Sequence, residues 1–194
     1  MMNQMIENIR RSLNDCLNNT MPYPKQIITM AKYLTNELDD DPDLHETKFY
    51  MLWHTIISYH FPIDLDYGVA PETQITATGT KEMFLIIKAV RKTDHVVVVV
   101  KLKNSAEETK AEMETVKAEL VEFIEGRFSE TQYPTIYGIG VIGFSWTAFR
   151  VDRAGSDKPT IIAPRRGNVT SNQSFSVFEA VADEIHAMTR QVWP

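Results

Sequence analysis

Hydrophobic and polar positions along the chain change their period several times, and each change marks an element. Residues 3–18 and 25–38 carry apolar side chains at helical spacing. Met21-Pro22-Tyr23-Pro24 separates them, because proline stops one helix and starts the next. After the hydrophilic break Asp39-Asp40-Asp41-Pro42, the spacing predicts a third helix over 44–60, opened by Asp43 and Glu46 in capping-box spacing. Tyr50, Trp53 and Ile57 share one line of that helix, and Leu44, Met51, Leu52 and Ile56 lie near another. A helix apolar over so much of its circumference belongs inside a protein.

Following a loop over 60–71, the period shortens to that of strands at 72–78, 82–91 and 95–103, the last two joined by Lys92-Thr93-Asp94. Ser105 and Glu108 form a second capping-box pair, predicting a helix to about 125 with Met113, Val116, Leu120 and Ile124 inward and Gly126 as its stop. A hairpin over 135–142 and 146–152 turns at Gly143-Phe144-Ser145. A turn at 154–159, a short strand at 160–163, a polar loop at 164–173 and a helix at 176–192 complete the chain. This order predicts an α/β protein of the α+β type, with a central mixed sheet flanked by helices. It reads as one domain: a helical extension over 1–42, a core over 43–153, and a final strand and helix over 154–194.

The segment HVVVVVKLKN, residues 95–104, carries the most information. Five consecutive valines leave no polar face, so this strand needs a layer on each side and a central place in the sheet. Lys101 and Lys103 then share one face at its end, with Leu102 on the other. Two explanations stand side by side: the strand surfaces there and the lysine stems cover core, or the lysines belong to a binding site at a strand end.

Composition narrows the classes. At 43% hydrophobic and 24% charged the chain is of globular type, and no window holds about 18 uncharged apolar residues as a membrane span requires. The N-terminus lacks a continuous apolar stretch of the secretory type. One cysteine, Cys16, leaves no internal disulfide framework and no cysteine-rich zinc site. An intracellular location, cytoplasmic or nuclear, is therefore expected, with the glycosylation-like triplets at Asn18, Asn168 and Asn172 as chance matches. The net charge of −6 argues against generic coating of nucleic acid.

Several apparent motifs fail on context. Gly138-Ile139-Gly140-Val141-Ile142-Gly143 matches a dinucleotide fingerprint, but FSWTAFRV follows it, a strand where that fingerprint needs a helix. His45, His54, His60, His95 and His186 show no metal-binding spacing. Arg165-Arg166-Gly167 is a short basic loop, and no G-x-S-x-G elbow occurs.

One ordered set remains: a helix with Glu46, a strand with Glu82 in GTKEMFLII, a buried strand ending Lys101-Leu102-Lys103, an amphipathic helix, and YGIGVIGFSWTAFRVDR. From Leu44 to Arg153 it resembles the PD-(D/E)XK (restriction-endonuclease-like) nuclease fold, in the flavour of fungal and Crinkler-type domains. In that chemistry two strand-end carboxylates hold Mg²⁺, a helix carboxylate assists, and a lysine stabilises the attacking hydroxide or the phosphorane. The resemblance implies Glu46 as helix acid, Glu82 as first metal ligand and Lys103 as catalytic lysine. The second ligand falls at Lys101, a charge reversal that repels a dication. Some members of the fold move this acid to the following helix, which here nominates Glu107 or, less well, Glu108, as a metal ligand beside Glu82.

Two functions follow. One is a degenerate, non-catalytic interaction module without a cofactor, in which Lys101 and Lys103 pair with Glu82 and Glu46 or bind an anionic partner, protein or nucleic acid. The other is an active Mg²⁺- or Mn²⁺-dependent nuclease using Glu46, Glu82, Lys103 and Glu107. A homodimer through the N-terminal helices, and no membrane, complete the expected partners.

Overall fold

A computed structural model describes residues 23–40, 46–75, 81–90, 93–103, 109–153 and 166–191. The valine strand is β3, Asp94–Lys103, and Val96 to Val100 are fully buried within it. It sits inside a mixed six-stranded sheet of order β1-β2-β3-β4-β5-β6. β1 (Tyr67–Ile75), β2 (Lys81–Val90) and β3 form an antiparallel meander. β3 and β4 (Thr135–Ile142) run parallel. Parallel neighbours need a crossover, and the helix Lys110–Glu125 lies in that connection. β5 (Ser145–Asp152) returns antiparallel to β4, and β6 (Arg166–Asn168) pairs with β5.

Four α-helices occur among the described residues: α1 (Lys25–Asp40), α2 (Glu46–His60), α3 (Lys110–Glu125) and α4 (Asn172–Gln191). One sheet face carries the layer formed by α1, α2 and α4, and Leu34, Trp53, Ile57 and Phe178 share one core with Leu85, Val98, Val100 and Ile139. The other packs against α3, whose Met113, Val116, Leu120 and Ile124 meet Phe84, Ile86, Val99 and Phe149. The architecture is thus α+β, a mixed sheet with helices on both faces. None of the described helices is long and apolar enough to cross a membrane.

An irregularity in the β2–β3 pairing sets the phase of the site. Ile87 pairs with Val98 but Lys88 with Val96, so Val97 is an extra residue. The bulge puts Val97 and Val98 both toward the three-helix layer, with Val96 and Val99 toward α3. Counting on from Val99, Lys101 and Lys103 share the α3 face, while Leu102 joins the opposite core.

The false dinucleotide motif resolves into packing. Gly138 and Gly140 lie in β4 beneath α3, where a Cβ on Gly138 would meet Phe149 Cζ at 2.5 Å and Ile124 Cδ1 at 3.1 Å. Gly143 has φ 55° and opens a two-residue turn between Ile142 and Ser145 that glycine favours.

Some boundaries differ from expectation. β1 begins at Tyr67 within the expected loop, preceded by a 3₁₀ turn over Ile63–Leu65. Pro71 obscures this strand in the sequence, yet the end of a sheet tolerates proline because one edge needs no partner. α3 is capped by Thr109 with Glu112, rather than by Ser105 with Glu108. β6 lies inside the expected loop 164–173, and α4 begins at Asn172 instead of 176. The expected helix over 3–18, Cys16, Asp43, Ser105, Glu107, Glu108 and the strand at 160–163 lie outside the described residues.

Candidate functional site

Lys101 is the centre of the arrangement on the α3 face. Its side chain is only 5% exposed, and Nζ lies 2.7 Å from Glu82 Oε2 on β2 and 2.7 Å from Glu119 Oε2 on α3. The ammonium also stands 5.3 Å from the centroid of the Phe84 ring. A buried ammonium requires compensation, and here two carboxylates and an aromatic face supply it.

The aromatic row continues outward. Phe84 stacks on Phe123 of α3 with centroids 4.0 Å apart and planes 10° from parallel. Arg127 lies over the far ring, its guanidinium carbon 4.4 Å from the Phe123 centroid. Arg127 in turn pairs with Glu72 on β1 and, at 2.8 Å, with Glu130. Lys101, Phe84, Phe123 and Arg127 thus follow one another in a row, and its outer half, Phe123 and Arg127, lines a cleft of about 600 Å³ between the end of β1 and α3. Glu72, Glu82, Glu119, Glu122 and Glu130 line it with Arg127, and Lys101 lies behind Glu82 and Glu119, so carboxylates outnumber cations around it.

Lys103, two residues on, is half-exposed and meets Glu112 Oε1 at 3.5 Å. Glu112 also closes the α3 capping box. The hydrogen bond from the Thr109 hydroxyl, joined by the backbone N–H of Thr109 and by Lys103, holds the Glu112 carboxyl below its ordinary range against the opposing effect of burial. A helix N-terminus favours the same ionised form.

The residues nominated from sequence therefore separate. Glu82 and Lys101 meet directly, Lys103 turns to Glu112, and Glu107 lies outside the described residues. Glu46 opens α2, which packs on the sheet face opposite Lys101, and its side chain lies outside the described residues. Glu119 was not singled out, although a signal existed. Glu112 and Glu119 are seven residues apart, two turns of one helix edge beside the inward line Met113, Val116 and Leu120. α3 runs back along β3, so the earlier glutamate meets the later lysine.

Whether Mg²⁺ or Mn²⁺ fits can be read from the donors. Glu82 and Glu119 converge, but the atom at their convergence is the Lys101 ammonium. A dication there would have to displace the buried Lys101 ammonium from both carboxylates, so the residues do not fit the metal. Among the described residues no group of three or more His, Cys, Asp or Glu side chains is arranged to hold an ion. Comparison with protein-family profiles, curated proteins and solved structures finds no match to this chain.

Proposed function

We propose that this protein is a non-catalytic interaction domain built on a nuclease-like scaffold. The observation that carries the reading is the Lys101 ammonium held between Glu82 and Glu119 at 2.7 Å each. Where the resemblance calls for a second acidic metal ligand, the chain supplies a cation and closes it into an ion-pair triad. Further support comes from the order of elements, a helix, three antiparallel strands, a crossover helix and a parallel strand. The excess of carboxylates around the adjoining cleft favours a protein partner over a phosphate backbone, which that charge would repel.

Calorimetric titration with Mg²⁺ and Mn²⁺, beside cleavage assays on plasmid DNA and RNA, tests the proposal. Silence in both is expected. Metal binding together with cleavage that Glu82→Ala abolishes would replace it with an active metal-dependent nuclease that uses Glu82.

A further inference from the structure

On the opposite face of the sheet, α4 is fastened through a cluster that the Lys101 site does not involve. His186 of α4 lies 3.0 Å by Nε2 from the carbonyl oxygen of His60, the last residue of α2, and 2.8 Å by Nδ1 from the Tyr67 hydroxyl on β1. A carbonyl only accepts, so Nε2 donates, and in the neutral ring Nδ1 accepts from Tyr67. Thr189 Oγ1 stands 2.7 Å from the same hydroxyl and 3.0 Å from the His186 carbonyl oxygen. Its single proton goes to the Tyr67 oxygen while Tyr67 donates to His186, and to the carbonyl when Tyr67 donates to Thr189.

The ring of His60 is placed differently. It is 7% exposed and packs 4.8 Å from Phe178 and 5.5 Å from Phe175, both on α4, and 5.1 Å from Tyr59. Its Nε2 is buried with no hydrogen-bonding partner among the described residues. A proton arriving there finds aromatic carbon where an acceptor is needed.

We propose that this seam is proton-sensitive, with His60 as its trigger, and that acidification releases α4 from the sheet. The two imidazoles respond differently. When protonated, His186 keeps its bonds, since Nδ1–H donates to the Tyr67 oxygen and the Tyr67 hydroxyl turns to donate to Thr189 Oγ1. His60 gains a charge without an acceptor, next to the charge on His186. The ionisable groups around the pair are Tyr59 on α2, Tyr67 on β1, and Asp183 and Arg190 on α4. Burial, followed by repulsion from His186, pushes His60 down to about 4. Release of α4 breaks no strand pairing among β1 to β5.

Two tryptophans report the event. Trp146 Nε1 donates to Ser174 of α4 at 2.8 Å, and the Trp146 and Trp53 rings lie 4.8 and 6.3 Å from Phe178. In a Trp193→Phe background, which leaves only these two indoles, emission and far-ultraviolet circular dichroism are followed from pH 7.5 to 4. The expected result is a red shift that precedes loss of strand signal, the released fraction growing by up to about tenfold per pH unit below about 6.5. His60→Phe and His60→Leu should remove this early shift. Coincident loss of both signals in the parent, or an unchanged early shift in variants that fold, overturns the proposal. If neither variant folds, the His60 imidazole titration followed by NMR serves instead. A midpoint well below 6.5 supports the trigger, and an ordinary midpoint overturns it.

Discussion

Lys101 Nζ reaches Glu82 Oε2 at 2.7 Å along a diagonal, because the residue directly opposite Lys101 across the strands is Phe84. Continued by two residues, that register sets Glu82 against Lys103. The glutamate nevertheless goes to the buried lysine, whose charge is the costlier one to leave alone. Lys103 is half-exposed and meets Glu112 instead.

Replacing Lys101 should be costly in one form and instructive in another. Lys101→Met leaves two like charges facing a buried apolar side chain, and should lower stability by about 2 kcal/mol, below the value for a fully buried pair because both acids reach water. Urea unfolding measures it. Lys101→Glu places three carboxylates together, and should bind Mn²⁺ in calorimetry and regain stability with it. No Mn²⁺ binding by this variant would show that the triad does not stand where a metal site can form.

The two acids should not be equivalent. Glu82 is 21% exposed and Glu119 39%, so a double-mutant cycle should couple Lys101 to Glu82 by about 1–2 kcal/mol and to Glu119 by under about 1 kcal/mol. Added salt should weaken the Glu119 coupling more.

The glycines of β4 give a test of packing free of charge. Gly138→Ala drives a methyl against Phe149 Cζ at 2.5 Å and should cost about 1–3 kcal/mol. Gly140→Ala meets Val116 at 3.0 Å and should cost less, as thermal unfolding of the pair will show.

Thr109→Ala removes one arm of the α3 capping box and should cost about 1 kcal/mol. Since Glu112 also meets Lys103, the same change should raise the Glu112 carboxyl toward its ordinary range, visible by NMR titration.

Acid should destabilise the fold through His60. Its folded value of about 4 lies below the ordinary 6.5, so the unfolded chain binds more protons between them. Stability is full above about pH 6.5 and falls as pH drops toward 4, by on the order of 3 kcal/mol. Urea midpoints at pH 7 and 4.5 should differ less in His60→Phe than in the parent.

Local pattern was enough for the buried helix, the central valine strand, the inward line of α3 and the hairpin at Gly143, because each rests on periodicity or turn chemistry within a few residues. It missed the first half of β1, where an edge strand has little burial to pattern it and Pro71 points to a loop. It also placed the α3 cap too early, since Ser105/Glu108 and Thr109/Glu112 have the same spacing and nothing local separates them.

At the site, residue order put a cation at Lys101 and an acid at Glu82, and both charges are properties of the chain read in one dimension. The partners of Lys101 and Lys103 are not. They depend on a bulge at Val97 that sets which face the lysines take, and on α3 running back along β3 so that Glu119 meets the buried lysine and Glu112 the exposed one. Ion pairs form between residues that folding brings within a few ångströms, and spacing along a chain does not encode that distance across a sheet and a helix.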